Sequence, residues 1–167
     1  MEFVKCCSYL AVIGVAAFFL GRLFAGARFR ADRFPFRRYA FEESGAFYRK
    51  IRIRFWQGRL PDMSRLLPSL MPPKRMDRSE TSGQLERMIR ETCIAESTHV
   101  LLCVMGLRCL QIWPGTGGRV LCALYAAGNF LFILVQRYNR PRLVRLHSRM
   151  ETVKTGAYHH EGLNLNQ

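Results

Sequence analysis

The sequence predicts an all-α membrane protein with three transmembrane helices, or four if a basic, aromatic segment between the first two enters the bilayer more deeply. Three observations predict this. Apolar and basic residues are segregated along the 167-residue chain, so 49% apolar residues and a net charge of +14 average to a mean hydropathy of -0.04. Three runs are each about as long as a helix needs to cross a hydrocarbon core of roughly 30 Å. The positive charge gathers beside those runs, with 17 of the 26 Lys+Arg between Arg22 and Arg90 and six more between Arg137 and Lys154.

The first run spans residues 3–24, FVKCCSYLAVIGVAAFFLGRLF. Ala25-Gly-Ala27 would permit cleavage of a signal peptide. The amino-terminal region has only Lys5 as a positive charge, however, offset by Glu2, and the strong basic cluster of Arg28, Arg30, Arg33, Arg37 and Arg38 follows the run. This reads as a retained helix whose carboxyl end faces the cytoplasm.

Residues 44–72 read as a cytoplasmic-side amphipathic interfacial segment. Phe47, Ile51 and Phe55 fall on one helical stripe among Arg49, Lys50, Arg52, Arg54 and Arg59. Phe47, Tyr48, Phe55 and Trp56 suit the headgroup layer. Leu60-Pro-Asp62 ends the helical pattern, and LLPSLMPP at 66–73 is too short and proline-rich to span. Ser82 or Thr81 is placed to cap the next helix.

The second span is expected at 94–113 and the third at 119–136, joined by the turn Trp113-Pro-Gly-Thr-Gly-Gly118. Residues 1–150 then form one membrane domain, and 151–167, with little apolar pattern, reads as a disordered tail. A soluble nucleic-acid binder has no use for such runs, and no nucleic-acid motif accompanies the basic charge, so nucleic acid is not an expected partner. The six cysteines contain no CxxC pair and suggest neither zinc nor a disulfide framework.

The informative residues are those lipid should exclude. Ionisable groups in a membrane helix are costly unless paired or opened to water. Glu91, Glu96 and His99 lie in ETCIAESTH, where Glu96 and His99, three apart, share a helical face. A carboxylate beside an imidazole can orient a general base. The structural alternative pairs Glu96 with Arg108 or with an arginine near the membrane surface. A di-metal site would require a second Glu-x-x-His with facing carboxylates, and no second copy occurs, so no metal is expected. Asn129 lies within the third run, where a buried amide can set helix register or belong to a site. Gln136, Arg137, Tyr138, Asn139, Arg140 and Arg142 end that run, and the guanidinium groups offer forks for phosphate or carboxylate.

GAFYRKIRIRFWQGRLPD, RMIRETCIAESTHVLL and NFLFILVQRYNRPRL, in this order, resemble the glycosyl-4,4'-diaponeurosporenoate acyltransferases, bacterial membrane enzymes of carotenoid biosynthesis. The likeness covers roughly residues 34–146. It implies esterification of a fatty acyl chain onto a hydroxyl of a glycosylated membrane lipid, such as a glycosyl carotenoid. The acyl donor, acyl-CoA or acyl-carrier protein, is then a co-substrate, and no bound cofactor is implied. The matching positions include Trp56 and Asp62, then Glu91, Glu96 and His99, then Asn129 and the 136–142 segment.

On this reading His99 deprotonates the acceptor hydroxyl, Glu96 orients His99, and QRYNRPR holds the phosphate-bearing end of the donor near the cytoplasmic face of the cell membrane. No GxSxG elbow suggests an acyl-enzyme, so direct transfer is expected. The alternatives are a non-catalytic lipid-binding or complex subunit, and a small membrane methyltransferase or reductase.

Overall fold

In a computed structural model, residues 1–23, 29–60 and 82–164 are described. Three long helices dominate: α1 (Glu2–Leu23), α5 (Ser82–Gly106) and α7 (Thr116–Asn164). Among the described residues between α1 and α5 are three short α-helices, α2 (Ala40–Glu43), α3 (Ala46–Lys50) and α4 (Ile53–Trp56), and a single turn, α6 (Cys109–Ile112), precedes α7. The stretches Glu2–Leu23, Ser82–Ile112 and Thr116–Val153 are long and apolar enough to cross a membrane.

The long helices form an antiparallel bundle because each carries one inward stripe. In α1 the buried positions Cys6, Leu10, Ile13 and Ala17 recur every three or four residues. Phe3, Val12, Val15, Phe19 and Leu23 point outward and are exposed, as suits lipid contact. α1 packs against α5 in the opposite direction. Tyr9 near its start donates its hydroxyl proton to the Met105 carbonyl at 3.0 Å, and Gly21 near its end lies against Thr98 and Ile94.

α5 and α7 form the hairpin that carries most of the packing. Gly115, at φ 114°, makes the turn, a backbone conformation that favours glycine. Near that turn, a Cβ on Gly106 would come within 2.7 Å of the Tyr125 ring, so a hydrogen at this position lets the two helices meet. Cys6, Leu10, Leu102, Cys109 and Cys122 fill the core at this turn end. At the opposite, basic end, Leu85, Ile89 and Leu143 form a second core. Ser82 fastens the start of α5 to α7 through a 3.0 Å bond to His147 Nε2 and a bond to Glu151. It is the first described residue of α5, with its side chain spent on the neighbouring helix.

Several boundaries differ from the sequence reading. The helix expected after Ser82 or Thr81 and the span expected at 94–113 are one continuous element over most of their length, because polar turns of α5 continue below the apolar run and pack on an equally extended α7. α7 passes through Pro141 and runs to Asn164. Residues 44–60 do not form one amphipathic helix. Gly45 (φ 65°) and Arg52 (φ 51°) take left-handed conformations that break the segment into α3 and α4. The break turns Ile53 and Tyr48 onto Leu134 of α7, with Phe47, Ile51 and Trp56 packed around them, and leaves Phe55 exposed. Residues 61–72 of the expected interfacial segment lie outside the described residues.

Candidate functional site

Two arginines of α7, Arg137 and Arg140, are three residues apart and buried, each less than 10% exposed. Such groups persist away from water only with their donors occupied. Arg137 sets its fork on Glu42, with Nε to Oε1 at 2.9 Å and Nη2 to Oε2 at 2.6 Å. Its Nη1 reaches Glu96 Oε1 at 2.7 Å, and further bonds run to the Pro35 and Arg37 carbonyls at 3.2 and 3.0 Å. Arg140 bonds the other oxygen of Glu96, the Thr92 hydroxyl at 2.9 Å, and the carbonyls of Thr92 and Phe36 at 3.0 and 2.8 Å. Tyr39 and Phe36 lay their rings against the two guanidiniums, with centroids at 4.2 and 5.2 Å.

The result is a neutral quartet of two carboxylates and two guanidiniums that ties residues 35–42 to α5 and α7. Glu42 also accepts bonds from the Tyr48 hydroxyl and, at 2.8 Å, from the Tyr39 N–H. Burial acts to raise its carboxyl pKa, but the bonds from Arg137, Tyr39 and Tyr48 and the Arg137 charge prevail and hold it below the usual value. Burial, then the bond to Glu42 and its negative charge, push the Tyr48 phenol up.

His99 lies closer to the turn than this quartet. Its Nδ1 sits 2.8 Å from Asn129 Oδ1, and its ring stacks on Phe132 at 4.8 Å and 7°. The Asn129 amide is oriented by its own bond, Nδ2 to the Tyr125 carbonyl at 2.9 Å. Its oxygen therefore faces the imidazole and accepts from Nδ1–H. In the neutral ring the lone pair is left on Nε2.

The structure thus joins the predicted residues in a different pairing. Glu96 does not orient His99, because both its oxygens are engaged by Arg137 and Arg140; Asn129, 30 residues on, takes that place. Glu96 pairs with arginines of the basic end, while Arg108 bonds Gln111 in its own turn. Glu91 is outside the quartet and accepts from Arg87 at 3.2 Å along α5. Trp56 donates to the Ile51 carbonyl at 2.9 Å and packs beneath α7. Gln136 and Asn139 are partly buried on either side of Arg137. Asp62 lies outside the described residues.

The 136–142 segment is split by its helix. Arg137 and Arg140 face inward with their donors used, whereas Arg142 is exposed over the Tyr138 ring at 4.2 Å. Glu42 and Thr92 were not singled out from sequence. A signal for Glu42 exists, since Asp32, Glu42 and Glu43 are the only acids between Arg22 and Arg59. Thr92 carries none, being one polar residue among several on α5.

Comparison with known proteins addresses the same region. The family model for glycosyl-4,4'-diaponeurosporenoate acyltransferase matches residues 32–149. Proteins of that name from Staphylococcus aureus strains bovine RF122 / ET3-1 and USA300 are each 28% identical over 142 residues, covering 84% of this chain and 85% of theirs. No solved structure matches. The matched stretch holds all four charged members of the quartet together with His99 and Asn129, and the chain belongs to the glycosyl-4,4'-diaponeurosporenoate acyltransferase family.

Proposed function

We propose that this protein is a membrane acyltransferase that esterifies a fatty acyl chain onto a hydroxyl of a glycosylated membrane lipid, with His99 as general base. A glycosyl carotenoid is the acceptor the family's name specifies. The observation that carries the reading is the Asn129–His99 bond at 2.8 Å, which fixes the tautomer and aims an unprotonated Nε2 away from its support.

The chemistry balances without a covalent acyl-enzyme. The acceptor hydroxyl gives its proton to Nε2 as its oxygen bonds the carbonyl carbon of the acyl thioester. The tetrahedral anion collapses, the carbon–sulfur bond breaks, and the Nε2 proton leaves on the departing thiol. Ester and free thiol result, and His99 is again neutral. The developing imidazolium and oxyanion compensate each other where water is scarce.

The ion-pair quartet serves as a positioning frame, since it fixes α5 and α7 in the register that brings His99 to Asn129. By the positive-inside rule the basic end faces the cytoplasm, where an acyl-CoA or acyl-carrier donor is made. The test is lipid mass spectrometry of cells with and without the gene. The expected result is a gene-dependent glycolipid heavier by one fatty acyl group; identical lipid profiles would overturn the reading.

A further inference from the structure

Beside the quartet, on the outer side of Glu42, lies a cleft of about 390 Å³. Six arginines line it: Arg38, Arg49, Arg52, Arg54, Arg142 and Arg145. Among the described residues Glu42 is the one acid that lines it, and that carboxylate is consumed by the Arg137 fork and Tyr48. A concave surface lined by this much positive charge concentrates anions.

Two details show the cleft to be shaped as well as charged. Arg52 holds a left-handed backbone at φ 51°, unusual for a residue with a side chain, at the junction between α3 and α4. Such strain gathers at ligand clamps. Arg142 is steadied over Tyr138, whose ring in turn lies 5.2 Å from Tyr48. The volume falls within the roughly 300–1,000 Å³ of small-molecule sites.

We propose that this cleft binds the polyphosphate end of a nucleotide-bearing acyl thioester. The charge count favours a group with several phosphates over the single phosphate of a lipid headgroup. The concave form favours a small molecule over a folded carrier. Distance agrees as well. Arg142 lies thirteen residues beyond Asn129 on α7, roughly 20 Å at the helical rise, a length comparable with an extended pantetheine arm. Along the helix axis, phosphates in the cleft would therefore leave the thioester at the level of His99, with the arm passing around α7. The proposal rests on the acyl-transfer reading for the identity of the ligand, while the cleft's preference for polyphosphate stands on its own geometry.

The experiment titrates the purified full-length protein in non-ionic detergent with coenzyme A, using calorimetry. Parallel titrations use 3'-dephospho-coenzyme A, holo acyl-carrier protein and phosphatidylglycerol vesicles. Arg142→Gln/Arg145→Gln and Arg49→Gln/Arg54→Gln are compared with the parental chain and with His99→Ala, all checked for helicity by circular dichroism. The expected result is saturable coenzyme A binding, weakened about tenfold or more by each double substitution, as loss of charge-assisted bonds requires, and unchanged in His99→Ala.

No saturable binding, or binding indifferent to the arginine substitutions, overturns the proposal. So does arginine-dependent capture of only the carrier protein or only the vesicles. The two readings fail separately. Arginine-dependent coenzyme A binding in a chain whose His99→Ala form still transfers at the parental rate would keep the cleft and remove the base. A parental chain that transfers acyl groups but binds no coenzyme A would keep the acyl-transfer reading and remove the cleft.

Discussion

Arg137 and Glu42, 95 residues apart, meet in a two-bond fork with both side chains less than 10% exposed. A buried pair of this kind contributes little over a well-packed apolar substitute, but removing one partner strands the other's charge. Arg137→Met should strand Glu42 and one oxygen of Glu96 together, at a cost of about 3–5 kcal/mol. Glu42→Gln, which keeps the shape and strands less, should cost less. Reversible unfolding in detergent micelles would check the order, and equal stability of Arg137→Met and the parental chain would contradict the burial of the pair.

The same carboxylate sets a dependence on acid. Glu42 is held below its ordinary value of 4.5, so the stability it contributes is fully present above that pH. It is lost as pH falls through the lower value of the folded state. Melting curves between pH 7 and pH 3 should show the parental chain losing stability at the acid end, with a shallower loss in Glu42→Gln. Parallel curves would mean that another group carries the acid sensitivity.

Acyl transfer should separate the base from its support. His99→Ala is expected to lower turnover by ~10²–10⁴, the range for loss of a general base. Asn129→Leu should lower it by less, since the imidazole remains but its tautomer is no longer fixed. Asn129→Asp, which still accepts from Nδ1–H, should recover part of that loss. Failure of the aspartate to exceed the leucine variant would reduce Asn129 to a packing residue.

Close approach near the turn is a matter of size. Gly106→Ala places a methyl group 2.7 Å from the Tyr125 ring, so helix or ring must move, at about 1–3 kcal/mol. Tyr125→Leu in the same chain should relieve part of the cost. Additive losses in the double variant would show that the two residues do not press on each other.

The three long helices were legible because apolar runs of bilayer length announce themselves without any knowledge of partners. Glu96 and His99 were legible as residues a membrane helix would not carry idly. Their partners were not. Both sit on one helical face by spacing, yet Glu96 meets arginines 41 and 44 residues away and His99 an asparagine 30 away, and no local period encodes such pairings. The 44–60 segment misled for a different reason. Its stripe of Phe47, Ile51 and Phe55 fits one helix, but Gly45 and Arg52 adopt left-handed backbone, and burial of Ile53 against Leu134 outweighs the stripe. The Ser-Gly pair at 44–45 was the available warning.

The quartet also makes the hairpin depend on a third stretch of chain. Glu96 on α5 carries one negative charge against the two guanidiniums of α7, and Glu42 supplies the second. A hairpin stripped of residues 35–42 would therefore keep one buried charge without its balance.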